Sequence, residues 1–258
     1  MKLTKSLIVC IGLYLAACVG LSQNAFAEEL SPILSQNTVS DDQISKWVED
    51  HPDAIIKSIN TYMAKQQPSL TEFILSADQL IDEKHPSLGA PISQADVIIV
   101  EFSDFNCRYC KEAEEPIHTK METQKGVHII YRDISFLHPS SEGAALAAKA
   151  ADLQGKYREF RSALFAAQKQ AGFTEDDLKS IARNIGLDVA KWDADRSSDY
   201  LKGLIKEDME LVSKLRIGGT PFFFGWMPLT KYALISQGAV TEESFESILN
   251  ELRSSKAM

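Results

Sequence analysis

Val97-Ile98-Ile99-Val100-Glu101-Phe102-Ser103-Asp104-Phe105-Asn106-Cys107-Arg108-Tyr109-Cys110 decides the fold. Val97 to Phe102 is a short apolar run rich in β-branched residues, the pattern of a buried strand. A four-residue turn follows. A helix is then expected from Cys107 to about Lys125, with Gly126 ending it. Pro116 inside that helix predicts a kink. Val127 to Arg132 repeats the strand pattern. A strand–helix–strand unit makes its two strands parallel. The two cysteines therefore stand at a helix start, directly after a buried strand.

That position carries chemistry. The first turn of a helix offers unpaired N–H groups and a partial positive charge. A thiolate placed there is stabilised, and the thiolate is the attacking species in disulfide exchange. Cys107, at an exposed first turn, is the natural attacker, and Cys110, one turn in, the natural resolving thiol. Three blander readings compete. A zinc half-site needs a second ligand pair, and His51, His85, His118, His128 and His138 are scattered without ligand spacing. A structural staple over so small a loop stabilises little. Two inert thiols would not stay unpaired in an oxidising compartment. Redox chemistry is the favoured reading, with no metal and no cofactor.

The compartment follows from the first residues. Lys2 and Lys5, an uncharged apolar run from Ser6 to Gly20, and Ala25-Phe26-Ala27 ahead of Glu28 read as a secretory signal over residues 1–27. The run is short for a membrane-spanning helix. Leu15-Ala16-Ala17-Cys18 also resembles a lipobox, which would anchor the protein through Cys18; cleavage after Ala27 is the preferred reading. Either cut means export. After the Ala27 cut, Cys10 and Cys18 are gone, and the mature chain keeps only Cys107 and Cys110.

Working outward, Ser40 and Gln43 form a capping-box pattern ahead of Ile44, Trp47 and Val48. His51-Pro52 restarts the chain. Ile55, Ile56, Ile59, Tyr62 and Met63 recur at helical spacing, a further helix is expected over about Thr71–Asp82, and His85 to Pro91 reads as a linker. Residues 140–215 read as all-helical. Gly219-Thr220-Pro221 reads equally well as a plain turn or as a cis X-Pro segment. Phe222-Phe223-Phe224 and Tyr232–Ile235 are candidate strands. Phe222–Phe224 and Trp226 read as strand core rather than as a substrate groove. Thr241–Leu252 is a last amphipathic helix. Asp104, Phe105, Asn106, Arg132 and Asp133 read as structural. Glu101 reads either as a buried acid near the thiols or as a solvated strand-end carboxylate. Arg108 reads either as a cation that tunes the neighbouring thiol or as a solvated side chain.

The exported chain, the stretch from Glu101 to Cys110, the long helical segment, and Gly219-Thr220-Pro221 before an aromatic strand together resemble the DsbA-like thiol–disulfide oxidoreductase family. The likeness covers about residues 97–253. The helices at about 40–85, with Asp50-His51-Pro52, are similar to those of a subgroup with an N-terminal dimerisation region. The resemblance implies an α/β thioredoxin-like fold with an inserted all-helical domain and an N-terminal helical arm. Its expected divisions are a signal peptide (1–27), a helical dimerisation region and linker (28–90), a first thioredoxin part (91–139), the helical insertion (140–215) and a second thioredoxin part (216–258). It implies that Cys107 is the nucleophilic thiol and Cys110 the buried one. Pro221 then matches a cis-proline facing them with Thr220 before it, and Glu101 an acid that takes part in proton transfer. Arg108 and Tyr109 would tune the redox poise, although Arg-Tyr departs from the pairs commonest in relatives.

The rest of the composition fits. The chain has 258 residues, 45% of them hydrophobic, which is enough for one sizeable core. Its formal charge of −9 argues against a phosphate-binding surface, so nucleic acid is not an expected partner. The apolar faces of the arm predict a homodimer through residues 40–85. The expected activity is disulfide formation and isomerisation, oxidase chemistry ranked first, on unfolded or misoxidised exported proteins in a Gram-negative periplasm or envelope, with a membrane redox partner. The rival is a non-enzymatic envelope protein: a Cu(I) binder or a holdase dimer.

Overall fold

The computed structural model describes residues 39–254, so the signal-peptide and Cys18 readings lie outside the described residues. The chain divides into two compact units, one ending at Lys65 and the other beginning at Gln66.

The described part of the first unit is two helices, α1 (Asp41–Asp50) and α2 (Pro52–Gln66). Ser40 stays extended and its hydroxyl accepts from the Gln43 N–H at 3.2 Å, while the Ser40 N–H donates to the Gln43 side chain at 3.0 Å. The capping box is therefore real. Asp41 and Asp42 add negative charge where the helix dipole is positive. His51 ends α1: its ring stacks on Trp47 at 4.7 Å and its Nδ1 meets the Trp47 carbonyl at 2.9 Å. Ile44, Trp47, Val48, Ile56, Ile59 and Tyr62 are all exposed.

The second unit is built on a five-stranded sheet in the order β1-β3-β2-β4-β5: β1 (Ser87–Gly89), β2 (Val97–Ser103), β3 (Val127–Asp133), β4 (Phe222–Trp226) and β5 (Ala233–Gln237). β2 and β3 are parallel, with Val97 opposite Val127 and Ser103 opposite Asp133. Helix α5 (Arg108–Thr123) joins them and runs unbroken through Pro116. β4 pairs with β2, and β5 with β4, antiparallel. Every residue of β2, β3 and β4 is buried, because helices cover both faces of the sheet. On one face Val97, Ile99, Ile129, Tyr131 and Phe223 pack with α5, with the closing helix α11 (Glu242–Ser254) and with the insertion. On the other face Ile98, Val100, Phe102, Ile130, Phe222 and Phe224 pack with Phe73, Leu80 and Leu215. The aromatic run is thus strand core, split between the two faces by the pleat. Between β3 and β4 lie five helices: α6 (Ser141–Asp152), α7 (Tyr157–Ala167), α8 (Glu175–Asn184), α9 (Val189–Asp195) and α10 (Asp199–Lys214).

Residues 66–90 differ from expectation. The helix expected over Thr71–Asp82 breaks at Ser76 into α3 (Leu70–Leu75) and α4 (Ala77–Leu80). Phe73, fully buried, stacks on Phe222 at 5.1 Å, and Leu80 is fully buried as well. The expected linker holds β1, an edge strand antiparallel to β3. Gly89 sits at φ 107°, where a Cβ would meet the Val127 carbonyl oxygen at 2.2 Å. This segment therefore belongs to the globular unit, and the arm is shorter than residues 40–85. A three-residue strand has no periodicity of its own; it exists because β3 offers it unpaired backbone groups. Phe73→Ala should accordingly destabilise the protein by about 3–5 kcal/mol, read as a lower urea midpoint with an unchanged slope. A surface helix would lose almost nothing.

Candidate active site

The turn between β2 and α5 is held from inside. Asp104 is fully buried. One carboxylate oxygen accepts from the Asn106 N–H at 2.8 Å and the Ser141 hydroxyl at 2.7 Å; the other accepts from the N–H groups of Phe136 and Leu137 at 3.2 and 3.1 Å. The Asp104 carbonyl accepts the Cys107 N–H at 2.9 Å. The Gln168 amide, from just beyond the end of α7, donates to the carbonyls of Phe105 and Cys107 at 2.8 and 3.0 Å.

Cys107 then caps α5. Its backbone is extended (φ −82°, ψ 119°), and its sulfur accepts from the Cys110 N–H at 3.4 Å. On its other side the Cys107 thiol donates to the Thr220 carbonyl at 3.3 Å, and the Thr220–Pro221 peptide bond is cis. Both thiols are free. Cys107 is only 6% exposed, more covered than an open first turn implies, because the Thr220 main chain lies against it; Cys110 is fully buried.

The two sulfurs are driven apart in acidity. Cys107 is pulled down to about 6, chiefly by the Cys110 side chain that hydrogen-bonds to it. Burial opposes this; the N–H groups of Cys110 and Tyr109 add to it. Cys110 is pushed far above the ordinary thiol range, first by burial, then by the bond to Cys107 and the charges of Cys107 and Glu101. At neutral pH one thiol is ionised and the other is not.

Glu101, opposite Tyr131 on β3, is 1% exposed, so it is the buried acid and not a solvated one. Burial raises it to about 7 against the pull of Arg161, with Glu114 and Asp133 raising it further. Arg161 on α7 is itself 1% exposed. Its guanidinium reaches Glu101 at 2.8 Å, Glu114 at 2.7 Å and the Ser103 hydroxyl at 3.0 Å, with Asp133 at 3.7 Å. Tyr131 lies under it at 4.3 Å. Three carboxyls share this one guanidinium, an arrangement that favours holding a proton. The second Glu101 oxygen has no hydrogen-bond partner.

Arg108 turns its side chain, 83% exposed, to Glu112 at 2.8 Å, and Tyr109 is half exposed. Arg132, read as structural, lies fully buried in a separate cluster with Asp208, Lys149 and His85. The sequence reading missed Arg161 and Gln168. For Arg161 a signal existed: it falls among Tyr157, Phe160, Leu164 and Phe165, at a position that should be apolar. For Gln168 there was none.

The profile of the DSBA-like thioredoxin domain family matches residues 98–249. The chain belongs to that family. Among solved structures this DsbA-like chain is similar to the thiol-disulfide exchange protein alpha-DsbA2 of Wolbachia pipientis: 25% identity, TM-score 0.63, covering 71% of this chain and 95% of that one. A thioredoxin-like oxidoreductase from Silicibacter pomeroyi is 31% identical at TM-score 0.60, covering 69% and 98%. Among curated proteins, the Na(+)/H(+) antiporter NhaA 3 of Salinispora tropica is 30% identical over 133 residues, 51% of this chain but only 20% of the antiporter. Among the described residues no helix is long and apolar enough to cross a membrane.

The Glu101 shift has a sign that can be measured. Its folded value lies above the 4.5 of an unburied carboxyl, so the folded state holds the proton longer. This contribution is full below about pH 4.5 and is lost as pH rises through about 7. Urea midpoints of the reduced protein, compared with Glu101→Gln across that window, should show the wild type losing stability relative to the variant as pH rises.

Proposed function

We propose that this DsbA-like protein catalyses thiol–disulfide exchange on exported proteins in the bacterial cell envelope, through Cys107 and Cys110. The observation that supports this most is the split between the two sulfurs: a helix-capping thiol lowered to about 6 beside a fully buried one that stays protonated.

In the donor direction a client thiolate attacks the Cys107 sulfur of the closed pair. The Cys107–Cys110 bond breaks, and Cys110 leaves with the electron pair. A buried thiolate is costly, so it takes a proton; Glu101, poised near neutral pH, is the donor. A second client thiolate then attacks the client sulfur of the mixed disulfide and expels Cys107 as a thiolate. The client loses two electrons and the pair gains them. A membrane redox partner takes the electrons onward. A low-pKa Cys107 is a good leaving group and stabilises the reduced form, which makes the disulfide oxidising. Oxidase chemistry therefore ranks first. Isomerisation runs from the reduced state, with the Cys107 thiolate attacking a wrong client bond. Pro221 and Thr220 offer a main-chain edge beside the sulfur for an extended client. Arg108 and Tyr109 flank it and contribute to its poise.

The exposed apolar side chains of α1 and α2 support a homodimer. That would hold two thiol pairs over one client and favour isomerisation. Residues 1–27 support export.

Two assays test the reading. Insulin reduction and repair of scrambled ribonuclease should both be present in the wild type and absent in Cys107→Ala. No activity in either assay, with tight Cu(I) binding instead, would overturn it in favour of the non-enzymatic rival. For the assembly, sedimentation at micromolar concentration should give a dimer that Trp47→Glu with Ile59→Glu converts to monomer; a wild-type monomer rules it out.

A further inference from the structure

Helix α7 and the Gln168 that caps its end present one stripe to the reactive turn. Arg161, Phe165 and Gln168 fall at i, i+4 and i+7, on one side of a helix. Arg161 meets Glu101 and Ser103 at the end of β2. Phe165 packs on Phe105 at 5.1 Å. Gln168 meets the carbonyls of Phe105 and Cys107. Of the three, Gln168 touches the main chain of the nucleophile itself. It is half-buried, neutral, and contributed by the inserted helices rather than by the sheet.

We propose that Gln168 is a positioning residue for the Cys107 thiolate: its amide grips the two carbonyls that flank Asn106 and fixes the main chain that aims the Cys107 sulfur at the Cys110 N–H. The inference rests on the exchange chemistry proposed above and adds a residue to it.

The physical argument has two parts. A helix cap works only while its backbone stays out of the helical region, so that its side chain can fold back to the third N–H of the helix. Cys107 does this at ψ 119°. Its carbonyl already accepts from the Lys111 N–H at 3.2 Å, and Gln168 supplies the second bond that pins the peptide plane. The second part is electrostatic. Two carbonyl oxygens near an anionic sulfur are partial negative charges; an amide donating to both offsets them. Of the titratable residues, Cys110 and Tyr109 hydrogen-bond the Cys107 sulfur, Arg108 turns away to Glu112, Asp104 holds the turn, and Glu101, paired with Arg161, acts on Cys110. None of these contacts runs through Gln168, whose amide meets only the Phe105 and Cys107 carbonyls.

The test is the rate of alkylation of Cys107 by iodoacetamide as a function of pH, with the reduction potential measured alongside. Gln168→Leu keeps the bulk and removes the donor. Gln168→Glu keeps the shape and puts a carboxylate where the donor was. Both should raise the midpoint of the profile, slow alkylation at pH 5 by about three- to tenfold, as the loss of one or two ordinary hydrogen bonds allows, and make the disulfide less oxidising. Gln154→Leu is the control. Gln154 also holds a main chain, donating to the Asp188 carbonyl at 3.1 Å and accepting the Asp188 N–H at 3.0 Å, but at the junction before α9. Its loss should lower stability and leave the Cys107 midpoint unmoved. A low wild-type midpoint unchanged in Gln168→Leu overturns the role of Gln168 alone, and so does an equal shift in Gln154→Leu. A wild-type midpoint at the ordinary thiol value of about 8.5 overturns the exchange chemistry and this role together.

Discussion

One hydrogen bond organises this molecule: the N–H of Cys110 pointing at the sulfur of Cys107. It needs a helix that begins at Arg108 and a residue before it that refuses to be helical. It also needs the preceding turn to stay still. Asp104 supplies that by collecting four donors from its own turn, from the loop after β3 and from the start of α6. The parallel pairing of β2 with β3 brings those segments together. The sheet, the turn and the insertion thus converge on the direction of a single N–H bond.

Charge is buried densely around that centre. On the thiol side of the sheet, Arg161 is surrounded by Glu101, Glu114 and Asp133. On the other side, Arg132 and Lys149 share Asp208. Arg132 and Asp133 are neighbours in β3, and the pleat sends them to opposite faces. Buried ion pairs of this kind are seldom net stabilisers, and removing one partner is far worse than never having had the pair. Here they tie elements distant in sequence: β2 to α7, β3 to α10. On the thiol side they also leave a carboxyl whose protonation is finely balanced, which an apolar core of equal volume would not provide.

Much of this was legible in the sequence, and for definite reasons. A β-branched run, a short turn and two cysteines at helix spacing fix strand, helix and sulfur cap, because those depend on local chemistry. Ser40 with Gln43, and the aromatic strand after Pro221, were legible on the same ground. Three features were not. β1 is ordered by its partner, so Ser87 to Gly89 looked like linker. The segment carrying Phe73 looked like a continuation of the arm, because the stacking on Phe222 spans about 150 residues of chain, a separation no window of sequence sees. Arg161 sat in view on an apolar face, but its partners come from β2, β3 and α5, and only the fold assembles them.

The stripe on α7 bears on how such proteins diversify. The helices between β3 and β4 look like a cassette free to be shuffled. Arg161, Phe165 and Gln168 make that exchange conditional: a donor cassette must bring its own guanidinium, ring and amide in matching phase, or the recipient inherits a reactive centre with its scaffolding withdrawn. Lineages swapping this segment should carry the three positions as a linked set.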